Sequence, residues 1–382
     1  MCLIVFDPSI TRVSPIGSCF ITLLQPLIGQ WPIRLFTNEN DLPDSPLVQE
    51  TKVPLPGGPV FLRAVLFTLF CACAYAFSRK PKRRLTMSTE SAFPFCDVCY
   101  SHYCHRIFLA RHRDAVAGTW LRRSARLLTH RWGALCETLA LRRAKTIVVP
   151  SRGIARDLER VYPAQVHGKI RVIPNPVDAA HFARPADFCS AAIHRQFGIP
   201  RGTLVLSFCA LGNFERKGLR LLLEALLDLR NDNVHLLVIG GSSGEIDEYR
   251  ALAGRLHVSD GVHFAGFASD VRPYLWSSHA FVFPSAYEGF ALVCLQAAAA
   301  GLPLLATRVN GVEEFLIDGV NGWIVERTRS SIRSAIEKIA TCFEQSAAMG
   351  RAAQEAVAGY SPERFQANWR ALLAELVATP RA

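Results

Sequence analysis

Residues 281–325 constrain the fold of this 382-residue chain more than any other stretch. Two short apolar runs, 281–283 and 302–306, are each bounded by turn residues, which is the pattern of buried strands. The segment between them, 290–300, is apolar or small on every side, so it predicts a helix that is packed all round. A buried helix between two buried strands predicts a parallel β-α-β unit.

Two polar side chains accompany this helix. Glu288 comes just before it, where unpaired N–H groups and the positive end of the helix dipole can hold a phosphate. Gln296 lies within it, and because a buried unpaired amide costs about 1–3 kcal/mol, we expect it to have a partner. Eight helical residues advance about 12 Å, so one ligand could contact both side chains. Each residue also has a structural alternative. The charge of Glu288 could simply complement the helix dipole, and the amide of Gln296 could bond to a neighbouring backbone carbonyl.

A second stretch carries phosphate-binding chemistry. Residues 203–210 predict a buried strand, and 212–218, GNFERKG, follow it as a glycine-flanked loop. Arg216 and Lys217 are adjacent in this loop, and the pair can close on a diphosphate, Arg as a fork and Lys as a point charge. A solvated turn is the alternative interpretation.

The first half of the chain opens as a strand, a helix and a strand, which predicts a Rossmann-like domain. The fingerprint Gly-x-Gly-x-x-Gly is absent after the first strand, which argues against a dinucleotide enzyme. Residues 96–103 alternate like a strand that ends at His102, with His105 close behind. A histidine there could face a ligand cleft or lie on the surface.

Three glycines also stand where loops are predicted to leave strands. Gly17 lies in a predicted loop that enters the first helix, and Gly240 and Gly241 follow the predicted strand 235–239. Such positions allow a ligand to approach the backbone, or they simply allow a turn.

The run Glu288-Gly289-Phe290, the residue eight on, the small-residue helix ending at Gly301 and the loop 310–314, NGVEE, resemble the retaining glycosyltransferases of family 4, which have the GT-B fold. That family has two glutamates in a Glu-x7-Glu motif, the first facing the donor sugar and the second the ribose hydroxyls. Here the second is Gln296. An amide can bond a diol but carries no charge, so donor affinity is the property that this departure affects.

The resemblance implies an α/β protein with two Rossmann-like domains whose parallel sheets face a central cleft. Residues 1–177 would bind the acceptor and residues 178–355 the nucleotide-sugar donor, and residues 356–382 would form a helix that crosses back to the first domain. The likeness covers 174–322 with specific motifs and the first domain only in patches, so it does not name the acceptor.

The resemblance also implies roles for individual residues. The catalytic residues would be Arg216 and Lys217 on the leaving diphosphate, Glu288 on the sugar hydroxyls, and His102 against the donor sugar. The remaining donor-binding residues would be Gly289, Phe290, Ala291, Gln296, Gly17, Gly240, Gly241 and His105. No Asp-x-Asp occurs in the chain, so we expect no metal and no cofactor, only a nucleotide-diphosphate sugar as donor substrate.

Positive charge is concentrated in the first half of the chain. The net charge is +11, and residues 1–180 carry 24 Lys and Arg against 12 Asp and Glu. This favours an anionic partner, either a membrane surface or a nucleic acid. Basic and aromatic residues are not interleaved as in single-strand-binding proteins, so we expect no nucleic acid. Together with the resemblance, this favours a glycan or lipid-linked acceptor in cell-surface polysaccharide or lipopolysaccharide synthesis, at the cytoplasmic membrane face.

Residues 60–77 are the most apolar segment. Arg63 interrupts them, and only 14 uncharged residues follow before Ser78 and the basic run at 79–84. This is shorter than the roughly 20 residues that a spanning helix needs, so we expect no single-pass anchor. A buried helix with a solvated basic exit and an interfacial helix on anionic lipid both remain open.

Twelve cysteines are scattered along the chain, and no signal-peptide pattern follows Met1. Cys96 and Cys99 lack a second pair at a metal-binding interval, so they predict no zinc or redox site. We therefore expect a reduced, cytoplasmic environment.

Two alternatives to sugar transfer remain from the sequence. A nucleotide-sugar epimerase relative would need additional acid and base residues, which the sequence does not locate. A non-catalytic or weakly active GT-B-fold protein that binds membrane or nucleotide would have Gln296 as a mark of lost activity.

Overall fold

The computed structural model describes residues 1–113, 120–229, 233–341 and 343–378. Its contacts divide the chain into two compact units. Met1–Pro176 and Pro362–Ala382 form the first unit, and Val177–Ser361 form the second. The second boundary therefore lies after residue 361, whereas the sequence placed it after residue 355.

The first unit contains a parallel sheet. The strands of this unit are β1 (Cys2–Phe6), β2 (Ser9–Ile10), β3 (Ile33–Thr37), β4 (Glu39–Asn40), β5 (Val48–Lys52), β6 (Arg84–Thr89), β7 (Val98–Tyr100), β8 (Thr146–Val149) and β9 (Ile170–Val172). The sheet has the order β5-β3-β1-β6-β7-β8-β9 with every neighbouring pair parallel, and β2 pairs separately with β4. All residues of β1 are buried, as expected for a strand covered on both faces.

Helices connect these strands. They are α1 (Pro15–Leu24), α2 (Val60–Phe77), α3 (His105–Ile107), α4 (Trp120–Arg143), α5 (Arg152–Val161) and α6 (Pro163–Val166). A 3₁₀ turn at Gln25–Leu27 continues α1, and a π-helical turn at Phe108–His112 continues α3. Ser14 and Ser151 cap α1 and α5 through their side-chain oxygens, as serine does at helix N-termini.

The second unit has its own parallel sheet. Its strands are β10 (Leu204–Ala210), β11 (Val234–Gly240), β12 (Val262–Gly266), β13 (Ala280–Phe283), β14 (Leu304–Ala306) and β15 (Gly322–Ile324). Their spatial order is β12-β11-β10-β13-β14-β15. The pairing of β13 with β14 is parallel, which confirms the β-α-β unit predicted for residues 281–325.

The helices of the second unit cover this sheet. They are α7 (Ala179–Phe182), α8 (Ala191–Gln196), α9 (Phe214–Lys217), α10 (Leu219–Leu229), α11 (Ser243–Arg255), α12 (Arg272–Trp276), α13 (Leu292–Ala299), α14 (Arg329–Thr341) and α15 (Phe343–Val357). Two 3₁₀ turns, Ser259–Gly261 and Val312–Glu314, complete the unit. The last helix of the chain, α16 (Pro362–Ala378), returns to the first unit.

Helix α16 packs on α1 and β7 of the first unit. Its Gln366 donates from Nε2 to the carbonyl of Thr22 at 3.2 Å. The ring of Trp369, which is fully buried, lies edge-on to Tyr100 with centroids 5.0 Å apart. The resemblance predicted a terminal helix in this place.

Helix α2 differs from its expectation. It buries only Phe67, Thr68 and Cys71, so the interpretation as a buried helix is wrong. Among the described residues, it is also long and apolar enough, by length and composition, to cross a membrane. This finding concerns length and composition alone, so the expectation that α2 is no single-pass anchor stays a prediction.

Both sheets reverse their strand order at one point. In the first sheet the reversal lies between β1 and β6, and in the second between β10 and β13. Open parallel α/β sheets bind ligands outside the carboxyl ends of the strands at such a point. We call these places the first and the second switch point, and they locate the candidate sites.

Candidate functional site

The second switch point carries a short cationic loop. Residues 211–218 follow β10 and contain α9, with Asn213 (φ 61°) before it and Gly218 (φ 87°) after it, both left-handed. A Cβ at Gly218 would lie 2.3 Å from the carbonyl oxygen of Pro284. Glycine is therefore required for the approach between this loop and the one that follows β13.

Glu288, from the loop after β13, lies against both cations of this loop. Its Oε1 accepts hydrogen bonds from Lys217 Nζ at 2.7 Å, Arg216 Nη1 at 3.0 Å and Ser285 Oγ at 2.6 Å. Arg216 also donates to the carbonyl of Tyr287. The predicted cations and the predicted carboxylate thus form one cluster, with Glu288 only 8% exposed.

The cluster is charged in spite of its burial. Burial alone would raise the pKa of Glu288, but the attraction of Arg216 and Lys217 and their hydrogen bonds hold it below its ordinary value. Burial lowers the pKa of Lys217, and Glu288 opposes this shift. A single carboxylate faces two cationic side chains, so the cluster keeps an excess of positive charge that suits an anion.

Backbone contacts fix the position of the cationic loop. Ala286 donates its N–H to the carbonyl of Arg216 at 2.8 Å. Phe214, which opens α9, donates its N–H to Glu245 Oε1 at 2.7 Å. The Lys217 ammonium also lies 4.9 Å from the ring centroid of Phe283, a cation–π contact that helps to hold the side chain in place.

A third cation, Arg327, was missed by the sequence reasoning. Its Nη2 donates to the carbonyl of Glu215 at 2.8 Å, and its pKa is lowered by burial, with Arg216 among the smaller causes. Its Nε is buried and has no partner among the described residues. Arg327 follows the last strand of the sheet, β15, so its place at a carboxyl strand end was the available signal.

The helix after Glu288 begins later than predicted. Helix α13 starts at Leu292 with Ala291 as its N-cap, so the N–H groups of residues 288–290 belong to a loop and not to the helix terminus. Gln296 is half-buried rather than buried, and no hydrogen bond of its side chain occurs within the described residues. The alternative partner, a neighbouring backbone carbonyl, is therefore not found among the described residues, and a ligand as the partner of this accessible amide stays a prediction.

The other predicted donor-binding residues of this region lie in the same loop. Phe290 is half-buried and packs on Tyr360, with centroids 6.1 Å apart. A Cβ at Gly311 would lie 2.6 Å from the Phe290 ring. Gly289 precedes Phe290 in the loop, and Ala291 is buried at the N-cap of α13.

Gly240 and Gly241 serve packing in this structure. Both have left-handed backbone angles, with φ of 93° and 87°. A Cβ at Gly240 would lie 2.1 Å from the carbonyl oxygen of Ala210, and one at Gly241 would lie 2.4 Å from the ring of Phe214. The two glycines therefore bring the end of β11 against the cationic loop.

His102 lies beyond the end of β7 in the first unit. The strand is shorter than the predicted 96–103 and ends at Tyr100, whose ring centroid lies 4.0 Å from that of His102. Burial lowers the pKa of His102 to about 3, so the imidazole is neutral. Its Nε2 is buried without a partner among the described residues.

His105, the second predicted histidine, is held by α4. Its backbone N–H donates to Glu137 Oε1 at 3.1 Å, and its Nδ1 lies 3.0 Å from His130 Nδ1. A Cβ at Gly133 would lie 2.6 Å from its ring. The ring therefore fills the space beside a helix, which is a packing role.

Gly17 lies within α1 and not in the predicted loop. Its N–H donates to Ser14 Oγ at 3.2 Å. A Cβ at this position would lie 2.3 Å from the carbonyl oxygen of Ser9. The glycine is therefore explained by the close approach of α1 to the chain that follows β1.

Two buried carboxyl groups stand at the first switch point. Asp7 follows β1 and accepts from the Ser9 N–H at 3.0 Å, and Glu90 follows β6 and accepts from the His102 N–H at 3.0 Å. Burial raises the pKa of Asp7 to about 7 and that of Glu90 to about 8. The part of the chain that the structure describes gives neither group an ion pair.

No group of three or more His, Cys, Asp or Glu side chains is placed to hold a metal ion among the residues described. Among the described residues, the contacts given above place the cations Arg216, Lys217 and Arg327 at the second switch point.

Two family models match the chain. Residues 204–343 match "Glycosyl transferases group 1", and residues 88–181 match "Glycosyltransferase Family 4". The first match covers the cationic loop and Glu288, and the second covers the first switch point from its Glu90 side.

Curated proteins show the same likeness. The lipopolysaccharide core biosynthesis glycosyltransferase LpsE of Rhizobium meliloti is 32% identical over 234 residues, which are 56% of this chain and 62% of LpsE. A D-inositol 3-phosphate glycosyltransferase of Corynebacterium jeikeium is 30% identical over 250 residues, 62% of this chain and 58% of that protein. In both cases the chain spans less than two thirds of the relative.

Solved structures share the fold over the whole chain. WaaG, a glycosyltransferase involved in lipopolysaccharide biosynthesis, aligns with a TM-score of 0.78 and 18% identity over 100% of both chains. HepE of Anabaena, solved in complex with UDP-glucose, aligns with a TM-score of 0.70 and 16% identity over 98% of this chain and 100% of HepE.

Proposed function

Since the chain has the GT-B fold and belongs to the family 4 glycosyltransferases, we propose that it transfers a sugar from a nucleotide-diphosphate donor to a glycan or lipid-linked acceptor. We expect this reaction to be a step in cell-surface polysaccharide or lipopolysaccharide synthesis. LpsE, the relative described above, is a lipopolysaccharide core enzyme, and HepE was solved with UDP-glucose.

The observation that carries the proposal is the cluster of Arg216, Lys217 and Glu288 at the second switch point. When the bond between the anomeric carbon and the diphosphate breaks, the negative charge on the diphosphate increases. Buried cations that are already in place stabilise this charge without reorganisation, which is the largest catalytic effect available in such a site. Arg216 and Lys217 supply these charges 3.0 and 2.7 Å from Glu288.

Glu288 has a separate part in the proposal. All three of its described side-chain hydrogen bonds end on Oε1. Oε2 is therefore the oxygen that can accept from the hydroxyls of the donor sugar. The ionised carboxylate would also lower the energy of the positive charge that develops at the anomeric carbon.

The finer features of the reaction follow from the same cluster and from the family. We expect retention of the anomeric configuration. We also expect activity without a metal ion, because paired cations stand where a chelated metal would otherwise neutralise the diphosphate. Half-buried Gln296 can bond the ribose hydroxyls, and His102 keeps its predicted role at the sugar.

The acceptor and the location form the last part of the proposal. A basic first half favours an acceptor presented at an anionic membrane surface, and a nucleotide sugar is a cytoplasmic substrate. We therefore place the protein in the cytoplasm, peripheral to the inner face of the membrane.

The test is a panel of UDP-, GDP- and ADP-sugars scored by ligand-detected NMR with the full chain. We expect one donor class to bind the wild type. Lys217→Ala should lose the diphosphate contact and weaken binding by about tenfold or more, since charge-assisted bonds contribute about 1.5–3 kcal/mol.

Lys338→Ala is the matched control, because Lys338 is exposed on α14 of the same unit. It should bind the donor as the wild type does. Absence of binding to every donor would overturn the proposal in favour of a non-catalytic protein. Equal binding by Lys217→Ala and the wild type would overturn the assignment of the cationic loop.

A further inference from the structure

Helix α2 presents an apolar surface where a surface helix normally has a polar one. A helix at the edge of a soluble unit usually turns charged residues outward, but Arg63 is the only charged residue of α2. The outward positions include Leu62, Leu69, Phe70 and Phe77, which are 45%, 52%, 37% and 91% exposed. At 100° per residue these four side chains fall within about 100° of one another. We call them the apolar arc.

The opposite side of α2 is fixed to the first unit. Thr68 donates from Oγ1 to the carbonyl of Ala92 at 3.0 Å. The ring of Tyr75 lies edge-on to Phe6 and Phe93, with centroids 5.4 and 5.8 Å apart. These contacts hold α2 along the first unit. The helix can therefore lie on the hydrocarbon layer of a membrane while it stays folded, whereas crossing that layer would break the contacts.

Basic residues flank α2 in the sequence, and acidic residues do not. Between Glu50 and Glu90 the chain has no Asp or Glu. Directly after the helix, Arg79, Lys80, Lys82 and Arg83 are all exposed, and none is ion-paired within the described part of the chain. An apolar surface bordered by cations without ion pairs is complementary to an anionic lipid bilayer, whose interior is apolar and whose surface is negatively charged.

The neighbouring helix α4 also has exposed apolar residues and no exposed acidic residue. Helices α2 and α4 are in contact. Helix α4 exposes Trp120, Leu128 and Leu135 by 74%, 45% and 53%. Its only acidic residue, Glu137, is fully buried.

We propose that the first unit docks on an anionic lipid bilayer through α2, with the apolar arc among the acyl chains and residues 79–83 on the lipid phosphates. A second copy of the chain is the competing occupant of this surface. Two copies meeting here would bring the exposed cations of residues 79–83 of both chains together, so repulsion opposes that pairing. The proposal deepens the membrane-facing acceptor proposed above, but the docking itself requires neither donor nor activity.

Vesicle flotation of the full-length protein tests the docking. We expect binding to vesicles of equal parts phosphatidylglycerol and phosphatidylcholine and little binding to phosphatidylcholine alone. Raising the salt to about 0.5 M should release most of the protein, because the Debye length becomes shorter than about 5 Å. Equal binding to both kinds of vesicle, or binding to neither, would overturn the proposal.

Two variants separate the apolar and the charged contributions. Leu69→Gln/Phe77→Gln should weaken binding to the anionic vesicles by about tenfold or more. Lys80→Glu/Lys82→Glu should weaken it by a similar factor. The control Ile317→Gln/Val320→Gln changes two exposed apolar residues of the second unit, which are 57% and 52% exposed, and should bind as the wild type does.

Circular dichroism melting must show that each variant is folded, and sedimentation velocity must show its oligomeric state. If Leu69→Gln/Phe77→Gln dissociates a dimer and leaves vesicle binding unchanged, the apolar arc is a protein interface and the proposal fails. The proposed sugar transfer would survive that result, since donor binding is measured separately by NMR.

An environment-sensitive dye gives a direct measure of immersion. Cys73 of α2 and Cys189 of the second unit are both exposed. Each can be labelled in a variant in which the other, together with Cys342, is replaced by serine. The emission of the dye on Cys73 should shift to shorter wavelength when anionic vesicles are added, and that of the dye on Cys189 should not. A shift at Cys189 alone would place the docking surface on the wrong unit.

Discussion

The two sheets reverse their strand order in the same way, yet the side chains at the two switch points differ in charge. At the second, Glu288 is buried against Arg216 and Lys217. At the first, Asp7 and Glu90 are buried with backbone N–H groups and one hydroxyl as partners. The same kind of residue in the same place in the fold is therefore surrounded by different groups.

The difference appears in the protonation of the carboxyl groups. Cations lower the pKa of Glu288 in spite of its burial, whereas burial raises that of Glu90 to about 8. Burial therefore does not decide the charge of a carboxyl group by itself, because the nearest cation can reverse its effect. The second switch point therefore holds a carboxylate whose pKa is lowered beside two cations, whereas burial raises the pKa of both acids at the first.

The largest expected effect is the removal of the Glu288 carboxylate. Glu288→Ala leaves Arg216 and Lys217 buried with no opposite charge, and breaking such a pair costs about 3–5 kcal/mol. Denaturant unfolding should show this loss in the second unit. Pyrophosphate should then stabilise the variant more than the wild type, because it replaces the missing negative charge.

Glu288→Gln separates charge from shape in this experiment. Its amide oxygen can still accept from Lys217, Arg216 and Ser285, but it does not neutralise the cations. We expect it to lose more than half as much stability as Glu288→Ala. If Glu288→Gln is as stable as the wild type, charge pairing does not distinguish the two switch points, and the comparison is broken.

A smaller effect is expected at Glu90, with the opposite dependence on pH. The pKa of Glu90 is raised from 4.5 to about 8, so its contribution to stability is complete below the ordinary pKa and is lost as the pH rises through 8. Between pH 7 and 8 the wild type should lose about 1 kcal/mol through this group. Glu90→Gln, which resembles the protonated form, should lose less over the same interval.

Thermal or denaturant unfolding at both pH values measures this difference. His102 and His105 do not contribute in this window, because burial lowers the pKa of both to about 3 and they are neutral above the ordinary value in either state. Glu363→Gln, an exposed change at the start of α16, is the control. A variant whose loss between pH 7 and 8 equals that of the wild type would show that Glu90 is ionised when folded.

The sequence was sufficient to place the elements of the second site on one edge of a sheet. The apolar runs at 204–210 and 280–283 are buried on both faces, and such strands are recognisable by their composition. Since the carboxyl ends of parallel strands share an edge, the loops with Arg216, Lys217 and Glu288 were expected to be neighbours.

The sequence could not provide what depends on distant packing. Arg327 and Glu245 hold the cationic loop from other elements. The position of Arg327 after β15 indicates the edge of the sheet on which it lies, but not its contact with this loop. The exposure of α2 was also beyond its reach, because a helix with the same hydropathy can be buried in a core or turned toward solvent. Gln296 looked buried for the same reason, since its neighbours in sequence are apolar and its surroundings in space were unknown.

The smallest expected effect tests whether contact with water can keep a carboxylate ionised where no cation is paired with it. Gln296 is half-buried, so a carboxylate at this position keeps contact with water and ionises without an ion pair, unlike Glu90. Gln296→Glu should therefore fold normally and, by accepting charge-assisted bonds from the ribose, bind the donor about threefold to fivefold more tightly. Calorimetric titration with the donor found by NMR measures this, with Gln196→Glu, an exposed change on α8, as the control. Weaker binding by Gln296→Glu would mean that repulsion from the donor's phosphates exceeds the gain at the ribose, and that the excess positive charge of the second switch point does not extend to this turn of α13.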